Sequence, residues 1–314
     1  MPTPYAYFHK QIVPLSEAKI SIMTHAFLYG TGVFEGIRGN WNAEAESTFL
    51  FRVADHYRRL AASCKILRID PGHTIEELCD ITSELVAIAG YREDVYVRPI
   101  GYKAGEVIGP RLHDVDDDFL IFVIPFGAYL DNDKGIRCQT SSWRRVDDTS
   151  IPARAKVTGI YVNSSLAKTE AHDSGLDEAI MLNQDGHVSE GSGENIVLVR
   201  NGHLITPSKS DNVLEGITLQ TVAELAQKEM GLQIEERTVD RSELYIADEV
   251  FMTGTAAHVS PVIEVDRRPV GDGDIGPITK ALQDIYFRVI YGRVPKYSHW
   301  CTPVPLRQPV PQKT

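Results

Sequence analysis

Cysteine is scarce in this sequence, and its spacing fits neither a metal site nor a redox pair. The only cysteines are Cys64, Cys79, Cys138 and Cys301, and none of them forms a CxxC pair. None has a histidine at the spacing typical of metal ligands. We therefore expect no metal site, and four reduced structural thiols in a cytoplasmic protein.

Long apolar runs and an excess of positive charge are also absent. No stretch reaches the ~18 apolar residues that a transmembrane helix needs, and residues 1–15 lack the apolar core of a signal peptide. With 32 basic and 43 acidic residues, the net charge is −11. This balance opposes non-specific binding to nucleic acid or anionic lipid, so we expect small molecules as partners and neither nucleic acid nor membrane.

The composition is that of an ordinary globular protein, with 43% hydrophobic and 24% charged residues. A chain of 314 residues exceeds what one hydrophobic core usually serves, so we expect two domains. A change to polar, turn-rich sequence at residues 129–135 predicts the linker between them. The predicted domains are a smaller first domain, residues 1–128, and a larger second domain, residues 136–314.

Helical periodicity and strand-like runs alternate along the chain, which predicts a mixed α/β (α+β) fold. Helices are expected over residues 55–67, 74–89, 217–230 and 278–291. The run over residues 119–126 predicts a buried strand, and Asp185-Gly186 and Asn201-Gly202 predict two hairpins. The tail from Val294 contains five of the 17 prolines, so we expect it to be extended or loosely ordered.

Lys156 stands out because its neighbours in the segment AKVTGIY are small or apolar. Partial desolvation in such a site disfavours the ammonium form, and the neutral amine is the form that Schiff-base chemistry requires. The simpler interpretation is a lysine at the end of a strand whose amine reaches solvent. The residues alone leave both interpretations open.

Glu194 lies in a glycine-rich segment, residues 189–195, that leads into an apolar run. The glycines allow a turn that directs one carboxylate inward, and the alternative is a carboxylate at the edge of a hairpin. The segment lacks GxGxxG spacing and precedes a strand instead of a helix, so it does not predict a dinucleotide site.

Two segments are candidates for binding a phosphate group. Gly216-Ile217-Thr218 begins a predicted helix, where free backbone N–H groups and the helix dipole favour an anion. Residues 253–257, TGTAA, are small enough to bring backbone amides close to a ligand. Arg59 is a candidate countercharge. The alternative is plain structure, because threonine is a common helix cap and an arginine on a helix usually faces solvent.

Seven motifs, in chain order, resemble the branched-chain aminotransferase family, which are pyridoxal-phosphate enzymes of fold type IV. The resemblance spans roughly residues 5–290, and its motifs are HAFLYGTGVFEGIR at 25–38, HYRRL at 56–60, YVRP at 96–99, AKVTGIYVNSSLAKTEA at 155–171, SEGSGEN at 189–195, LEGIT at 214–218 and FMTGTAA at 251–257. It implies a smaller N-terminal α/β domain, a larger C-terminal pseudo-barrel domain and pyridoxal 5'-phosphate as the cofactor.

The resemblance also implies the cofactor ligands. Lys156 is the implied catalytic residue, which bonds covalently to the cofactor and moves a proton at the substrate Cα. Glu194 is implied to keep the pyridine nitrogen protonated, and Tyr161 to hydrogen-bond the phenolic oxygen. The implied phosphate ligands are Arg59, Ile217, Thr218 and Thr255.

The same family implies the residues that bind the substrate. For the α-carboxylate they are Tyr96, Thr255 and Ala256, and for the distal carboxylate of glutamate they are Arg98 and Arg38. The alternative for Arg38 is a contact with a loop or a partner chain. The implied lining of the apolar side-chain pocket is Tyr29, Phe34, Phe126, Tyr129 and Tyr161.

The activity implied is transamination of leucine, isoleucine and valine with 2-oxoglutarate, by a homodimer or higher homo-oligomer. The alternatives of the same fold are D-amino-acid aminotransferase, (R)-amine transaminase and aminodeoxychorismate lyase; the Tyr96-x-Arg98 pattern favours the branched-chain enzyme over the first. Residues 101–109 and Phe126, where relatives often have tryptophan, depart from the family pattern and bear on side-chain preference. An inactive binding or scaffold protein is the alternative from another class, and the joint presence of Lys156, Glu194, Tyr161 and Arg59 argues against it.

Overall fold

The computed structural model describes residues 4–306. The described chain contains helices α1–α6 at His25–Tyr29, Val53–Ile66, Ile75–Ala89, Tyr161–Asp173, Ile217–Met230 and Pro277–Ile290. Its strands β1–β17 are Tyr5–Phe8, Gln11–Pro14, Gly32–Phe34, Ile37–Asn42, Ser47–Phe51, Val95–Lys103, Asp117–Pro125, Ile136–Thr140, Glu178–Leu182, Val188–Gly191, Asn195–Arg200, His203–Thr206, Ile234–Glu236, Glu249–Gly254, His258–Val265, Arg268–Pro269 and Cys301–Pro305. Short 3₁₀ turns occupy Leu15–Glu17, Thr158–Ile160, Lys209–Asp211, Arg241–Tyr245 and Pro295–Trp300. This content confirms the predicted mixed α/β fold.

The chain forms two compact units. The first contains the residues up to Gly127, residues 155–159 and the residues from Arg288 onward, and the second contains residues 128–154 and 160–287. Residues 129–135 have no helix or strand, and Leu130 packs into the core of the second unit. The domain boundaries and the linker expected from the sequence stay predictions.

An eight-stranded sheet organises the described part of the first unit. Its order is β17-β5-β4-β6-β7-β1-β2, with β3 also paired to β6, and every pairing is antiparallel. Strand β7 contains the predicted run 119–126 up to Pro125 and alternates in burial, with Phe119, Ile121 and Val123 inside. This alternation places one face of the strand in the core and is typical of an antiparallel sheet.

Helices α2 and α3 follow the predicted apolar periodicity. Helix α3 has the predicted capping box, because Thr74 Oγ1 accepts from the Glu77 amide at 3.2 Å and Glu77 Oε2 accepts from the Thr74 amide at 2.7 Å. Gly90 ends it with φ +65°. Helix α2 begins at Val53, two residues earlier than predicted, because Arg52 turns the chain in a left-handed conformation and the buried Val53 already belongs to the helix.

A nine-stranded sheet organises the second unit, in the order β10-β9-β8-β15-β14-β11-β12-β13, with β16 paired to β15. Strand β8 is parallel to both of its neighbours, and β12 is parallel to β13. Both predicted hairpins are present. Leu182 pairs with Val188 around Asp185-Gly186, and Arg200 pairs with His203 around Asn201-Gly202, whose φ angles are +50° and +76°.

The remaining predicted helices agree closely, whereas the tail does not. Helix α5 has the predicted bounds and ends at Gly231, and α6 begins one residue before its predicted start. Part of the tail is ordered as a 3₁₀ turn, in which the buried Tyr297 stacks on Trp300 with ring centroids 4.6 Å apart. Residues 301–305 then form β17 at the edge of the first sheet, a position that tolerates proline. The expectation of a wholly extended or loose tail was therefore wrong for residues 295–300, and residues 307–314 lie outside the described residues.

Within residues 4–306, no helix has both the length and the apolar character required to cross a membrane.

Candidate active site

Lys156 is held in the first unit by bonds to its main chain. Its carbonyl accepts from the Phe34 amide at 3.0 Å, and its amide donates to Ser63 Oγ at 3.2 Å. Its amine lies 5.2 Å from the centre of the Phe34 ring, and the flanking Ala155 and Val157 are buried. The predicted apolar surroundings of this lysine are therefore present.

Basic side chains of helix α2 pair with the buried Glu35, which follows strand β3. Arg59 Nε and Nη2 donate to the two carboxylate oxygens of Glu35 at 2.6 and 2.8 Å, and His56 Nδ1 lies 2.8 Å from Glu35 Oε2. Burial opposes ionisation of Glu35, but the charge and hydrogen bonds of Arg59 outweigh it and hold the pKa of the carboxyl well below its usual range. Burial lowers the pKa of His56, and the nearby Arg59 and Lys156 charges act in the same direction.

No pattern in the sequence assigned a role to Glu35, His56 or Ser63. His56, Arg59 and Ser63 lie at spacing i, i+3 and i+7, which places them on one face of α2. That spacing was readable in the sequence, but the apolar periodicity of the adjacent stripe, which includes Tyr57, hid it. Glu35 follows the end of β3, and nothing in its local sequence pairs it with an arginine 24 positions away.

Strand β6 brings the predicted substrate residues Tyr96 and Arg98 to one face, because they are two positions apart. Arg98 Nη2 donates to the Tyr96 hydroxyl at 3.1 Å, and its guanidinium carbon lies 4.2 Å from the centre of the Phe34 ring. The Tyr96 ring lies 5.1 Å from the Phe126 ring. The structure thus places these residues next to one another, and the ring contacted by Lys156 is also contacted by Arg98.

Position 36 must be glycine because the Tyr96 side chain lies too close to it for any Cβ. A Cβ at Gly36 would overlap with the hydroxyl oxygen of Tyr96. A side chain at position 36 would therefore displace Tyr96.

Arg38 is buried, and its guanidinium contacts the main chain. Nη1 donates to the Phe126 carbonyl at 2.7 Å, and Nη2 donates to the Gly127 carbonyl at 3.1 Å. These are contacts with the segment after β7, which was the alternative considered for Arg38. Its predicted role towards glutamate stays a prediction.

Tyr29 and Tyr129 are more exposed than the other predicted pocket residues. The hydroxyl of Tyr29 accepts from the Gly109 amide at 2.9 Å, so α1 contacts the segment 104–109 where the sequence departs from the family pattern. In the second unit, Tyr129 has its ring 5.3 Å from the amine of Lys168.

In the second unit, Glu194 lies in the turn between β10 and β11. Its side chain is buried, and Oε2 accepts from the Gly193 amide at 3.1 Å. Burial raises the pKa of Glu194 to about 8, and the negative charge of Glu178 adds to the effect. The predicted turn that directs this carboxyl group inward is therefore present.

The predicted phosphate ligands of the second unit lie at two turns. Gly216 precedes α5 and provides no side-chain cap, and Ile217 and Thr218 in the first turn are buried. Thr255 and Ala256 lie in the tight connection between β14 and β15, in which Gly254 pairs with His258. Tyr161 is the first residue of α4.

The fold and these residues together define a class of protein. The model of the family "Amino-transferase class IV" matches residues 32–265, and the chain belongs to this family. It is also 52% identical, over 96% of both chains, to the "Probable branched-chain-amino-acid aminotransferase" of Aquifex aeolicus.

Two solved structures agree with this placement. The branched-chain amino acid aminotransferase from Thermobaculum terrenum, in its holo form with pyridoxal phosphate, has a TM-score of 0.92 at 40% identity, covering 97% of this chain and 99% of that one. The branched-chain aminotransferase from the archaeon Thermoproteus uzoniensis, solved with norvaline, has a TM-score of 0.91 at 42% identity, covering 96% and 99%. The family and the fold expected from the sequence motifs are confirmed.

Proposed function

We propose that this protein is a pyridoxal-phosphate-dependent aminotransferase. It transfers the amino group of leucine, isoleucine or valine to 2-oxoglutarate, giving branched-chain 2-oxo acids and L-glutamate. The observation that carries this function is the full-length similarity to branched-chain aminotransferases, 52% for the Aquifex aeolicus relative. The contacts of Lys156 and the burial of Glu194 support it, because an inactive scaffold has no need of either.

The residues present fit pyridoxal phosphate by the chemistry of their donor groups. Lys156 provides an amine beside an aromatic ring, and Glu194 provides a buried carboxyl group. Arg59 provides a guanidinium fixed by Glu35, and α5 begins without a side-chain cap on its first amides. When bound, the cofactor supplies an electron sink for the bond that breaks at the substrate Cα.

Lys156 is the residue we propose for covalent attachment and for proton transfer at the substrate Cα. The two main-chain bonds to Phe34 and Ser63 fix its backbone. The Phe34 ring beside its amine limits the directions in which the side chain can move. A fixed backbone with a movable amine is what a group needs to take a proton from one atom and return it to another.

Glu194 is proposed to hold a proton at the cofactor's pyridine nitrogen. A carboxyl group with a pKa of about 8 retains its proton near neutral pH until a basic partner arrives. A ring nitrogen that takes this proton leaves a carboxylate beside a cation, which stabilises both. Tyr161 is proposed to hydrogen-bond the phenolic oxygen of the cofactor.

The proposed phosphate ligands are Arg59, Ile217, Thr218 and Thr255. A guanidinium and the amides of a first helical turn are both suited to a dianion. For the substrate, we propose that Tyr96, Thr255 and Ala256 bind the α-carboxylate and that Arg98 and Arg38 serve the distal carboxylate of glutamate. The proposed pocket lining is Tyr29, Phe34, Phe126, Tyr129 and Tyr161.

The experiment that tests the function is a half-reaction panel on the protein loaded with pyridoxal phosphate. L-leucine and L-glutamate are expected to react, with the near-visible cofactor band changing faster than with D-alanine or (R)-1-phenylethylamine. Borohydride is expected to abolish that band and to label Lys156. Lys156→Ala should lack both band and label, whereas the control Lys280→Ala, at an exposed lysine of α6, should retain them.

Two results of this panel would contradict the proposal. Faster conversion of D-alanine or of the (R)-amine than of L-leucine would favour the alternatives of the same fold. A wild-type protein with no band at all after loading would exclude aminotransferase chemistry.

We also propose a homodimer in the cytoplasm. Large apolar side chains are exposed on residues 20–29, with Ile22 at 80% and Phe27 at 66% of full exposure, and a patch of this kind marks a protein contact more often than bare surface. A second copy of this chain is the proposed occupant. Thiols at Cys64, Cys79, Cys138 and Cys301 suit a reducing compartment.

A further inference from the structure

Asn195 lies where three segments of the proposed site meet. It is the first residue of β11 and directly follows Glu194. It pairs across the sheet with Thr253 of β14, the strand that leads to Thr255. Its side chain is buried and reaches the loop before α5.

The side-chain amide of Asn195 binds that loop directly. Nδ2 donates to the Leu214 carbonyl at 2.8 Å and to Glu190 Oε2 at 3.2 Å. The same Glu190 oxygen accepts from the Leu214 amide at 3.0 Å. Both polar main-chain atoms of Leu214 are therefore bound by side chains from the neighbouring strands.

Glu190 is itself fixed by a buried ion pair. Its Oε1 lies 2.8 Å from Nη2 of Arg145, and both side chains are nearly inaccessible to solvent. Arg145 also donates through Nε to the Asn212 carbonyl at 3.3 Å. The loop before α5 is thus anchored at two residues by one connected set of buried polar groups.

The start of α5 also packs tightly on Asn195. Gly216 has φ −73° and ψ 130°, a conformation open to any residue. A Cβ at this position would nevertheless overlap with Oδ1 of Asn195. The glycine is required by the closeness of Asn195, which brings the first turn of the helix against the strand that follows Glu194.

We infer that Asn195 is a positioning residue, which fixes the start of α5 relative to Glu194. It thereby keeps a constant distance between the amides proposed to bind the phosphate and the carboxyl group proposed to bind the ring nitrogen. This inference rests on the proposed function of Ile217, Thr218 and Glu194. Asn195 acts through the helix and the strand, and touches neither the phosphate nor the ring. Removal of the Asn195 side chain frees the first turn of α5, which contains the proposed phosphate-binding amides, and leaves the carboxyl group of Glu194 in place.

The test compares two ligands that differ only in the phosphate. Dissociation constants of pyridoxal phosphate and pyridoxal are measured for full-length protein freed of cofactor. Asn195→Ala is expected to weaken pyridoxal phosphate binding by roughly 10–100-fold, the range for loss of buried hydrogen bonds, and pyridoxal by less than about 3-fold. Asn195→Asp keeps the size of the side chain but turns an oxygen toward the Leu214 carbonyl and Glu190, so it should act in the same direction.

A matched control removes another buried hydrogen bond of the same sheet. Thr206 Oγ1 donates to the Ile196 carbonyl at 2.8 Å, so this bond joins β12 to β11 and does not involve the loop before α5. Thr206→Val should lower the melting temperature and leave the ratio of the two dissociation constants unchanged.

The possible results separate this inference from the function on which it rests. If either folded Asn195 variant keeps the wild-type ratio of the two dissociation constants, whether or not both affinities fall, Asn195 is a purely structural residue and the inference is overturned. If the wild-type protein binds pyridoxal as tightly as pyridoxal phosphate, the proposed phosphate site itself is wrong.

Discussion

Two buried glutamates show how their surroundings decide the charge of the same side chain. Glu35 is bound bidentately by Arg59 and has a pKa well below the usual range. Glu194 is buried beside the negative charge of Glu178, and its pKa is raised to about 8. The same type of side chain is therefore ionised at Glu35 and retains its proton near neutral pH at Glu194.

Glu194 makes the stability of the cofactor-free protein depend on pH. Because the folded chain binds this proton more tightly than the unfolded chain, the contribution of Glu194 to stability is fully present below the ordinary carboxyl range and is lost as pH rises towards about 8. Glu194→Gln carries no such proton. We therefore expect its melting temperature to exceed that of the wild type at pH 8–9 and the difference to shrink towards pH 5.

Differential scanning fluorimetry of cofactor-free protein at several pH values measures this difference. Glu236→Gln is the control, because Glu236 is exposed on β13 and its removal should leave the two curves parallel. Parallel curves for Glu194→Gln as well would show that the carboxyl group is ionised in the folded protein.

At the scale of the element, local signals in the sequence located four of the six described helices and both predicted hairpins, whereas α1 and α4 were not predicted. The capping box of α3, the bounds of α5 and both Asx-Gly hairpins are confirmed because each depends on residues only a few positions apart. The pairing of Glu35 with Arg59 and the anchoring of Leu214 by Asn195 were not predictable in this way. Both join distant segments, and only the tertiary fold brings them together.

The tail shows the converse case, in which a local sequence signal is present but tertiary contacts override it. Its prolines predict extended chain, but Tyr297 and Trp300 bury their rings and form a turn instead. Burial of aromatic surface outweighed the local preference of the backbone. The prolines of β17 remain acceptable because that strand lies at a sheet edge.

The junction between β11 and α5 can be tested as an element by substituting Gly216. Gly216→Ala is allowed by the backbone angles, so its cost should come from the collision with Asn195 alone. We expect a loss of about 1–3 kcal/mol in the free energy of unfolding, and a much smaller loss when Asn195→Ala is already present. Urea unfolding of the four proteins in this double-mutant cycle measures the coupling.

Gly127→Ala is the control for that cycle, since a Cβ there meets no atom within 4 Å. Equal costs of Gly216→Ala in the two backgrounds would mean that Asn195 does not define the start of the helix.

At the scale of the whole molecule, surface charge and site charge are different properties. The net charge of −11 is a property of the whole molecule, and it argues against nucleic acid as a partner because like charges repel. The residues proposed for the site nevertheless include four basic side chains, Arg38, Arg59, Arg98 and Lys156. Arg59 is paired with the ionised Glu35, so the local excess of positive charge is smaller than a count of cations suggests.

The proposed dimer gives a prediction for the assembled molecule. If a second copy covers the exposed apolar residues 20–29, charges placed there must be desolvated on association and will oppose it. We expect the wild type to sediment at twice the chain mass of 34.9 kDa, and Ile22→Asp with Phe27→Asp to shift it towards one chain at micromolar concentration. Ile246→Asp, at another exposed apolar side chain, is the control and should leave the mass unchanged. Sedimentation equilibrium decides the matter: a double variant that remains at twice the chain mass would place the contact between copies elsewhere on the surface.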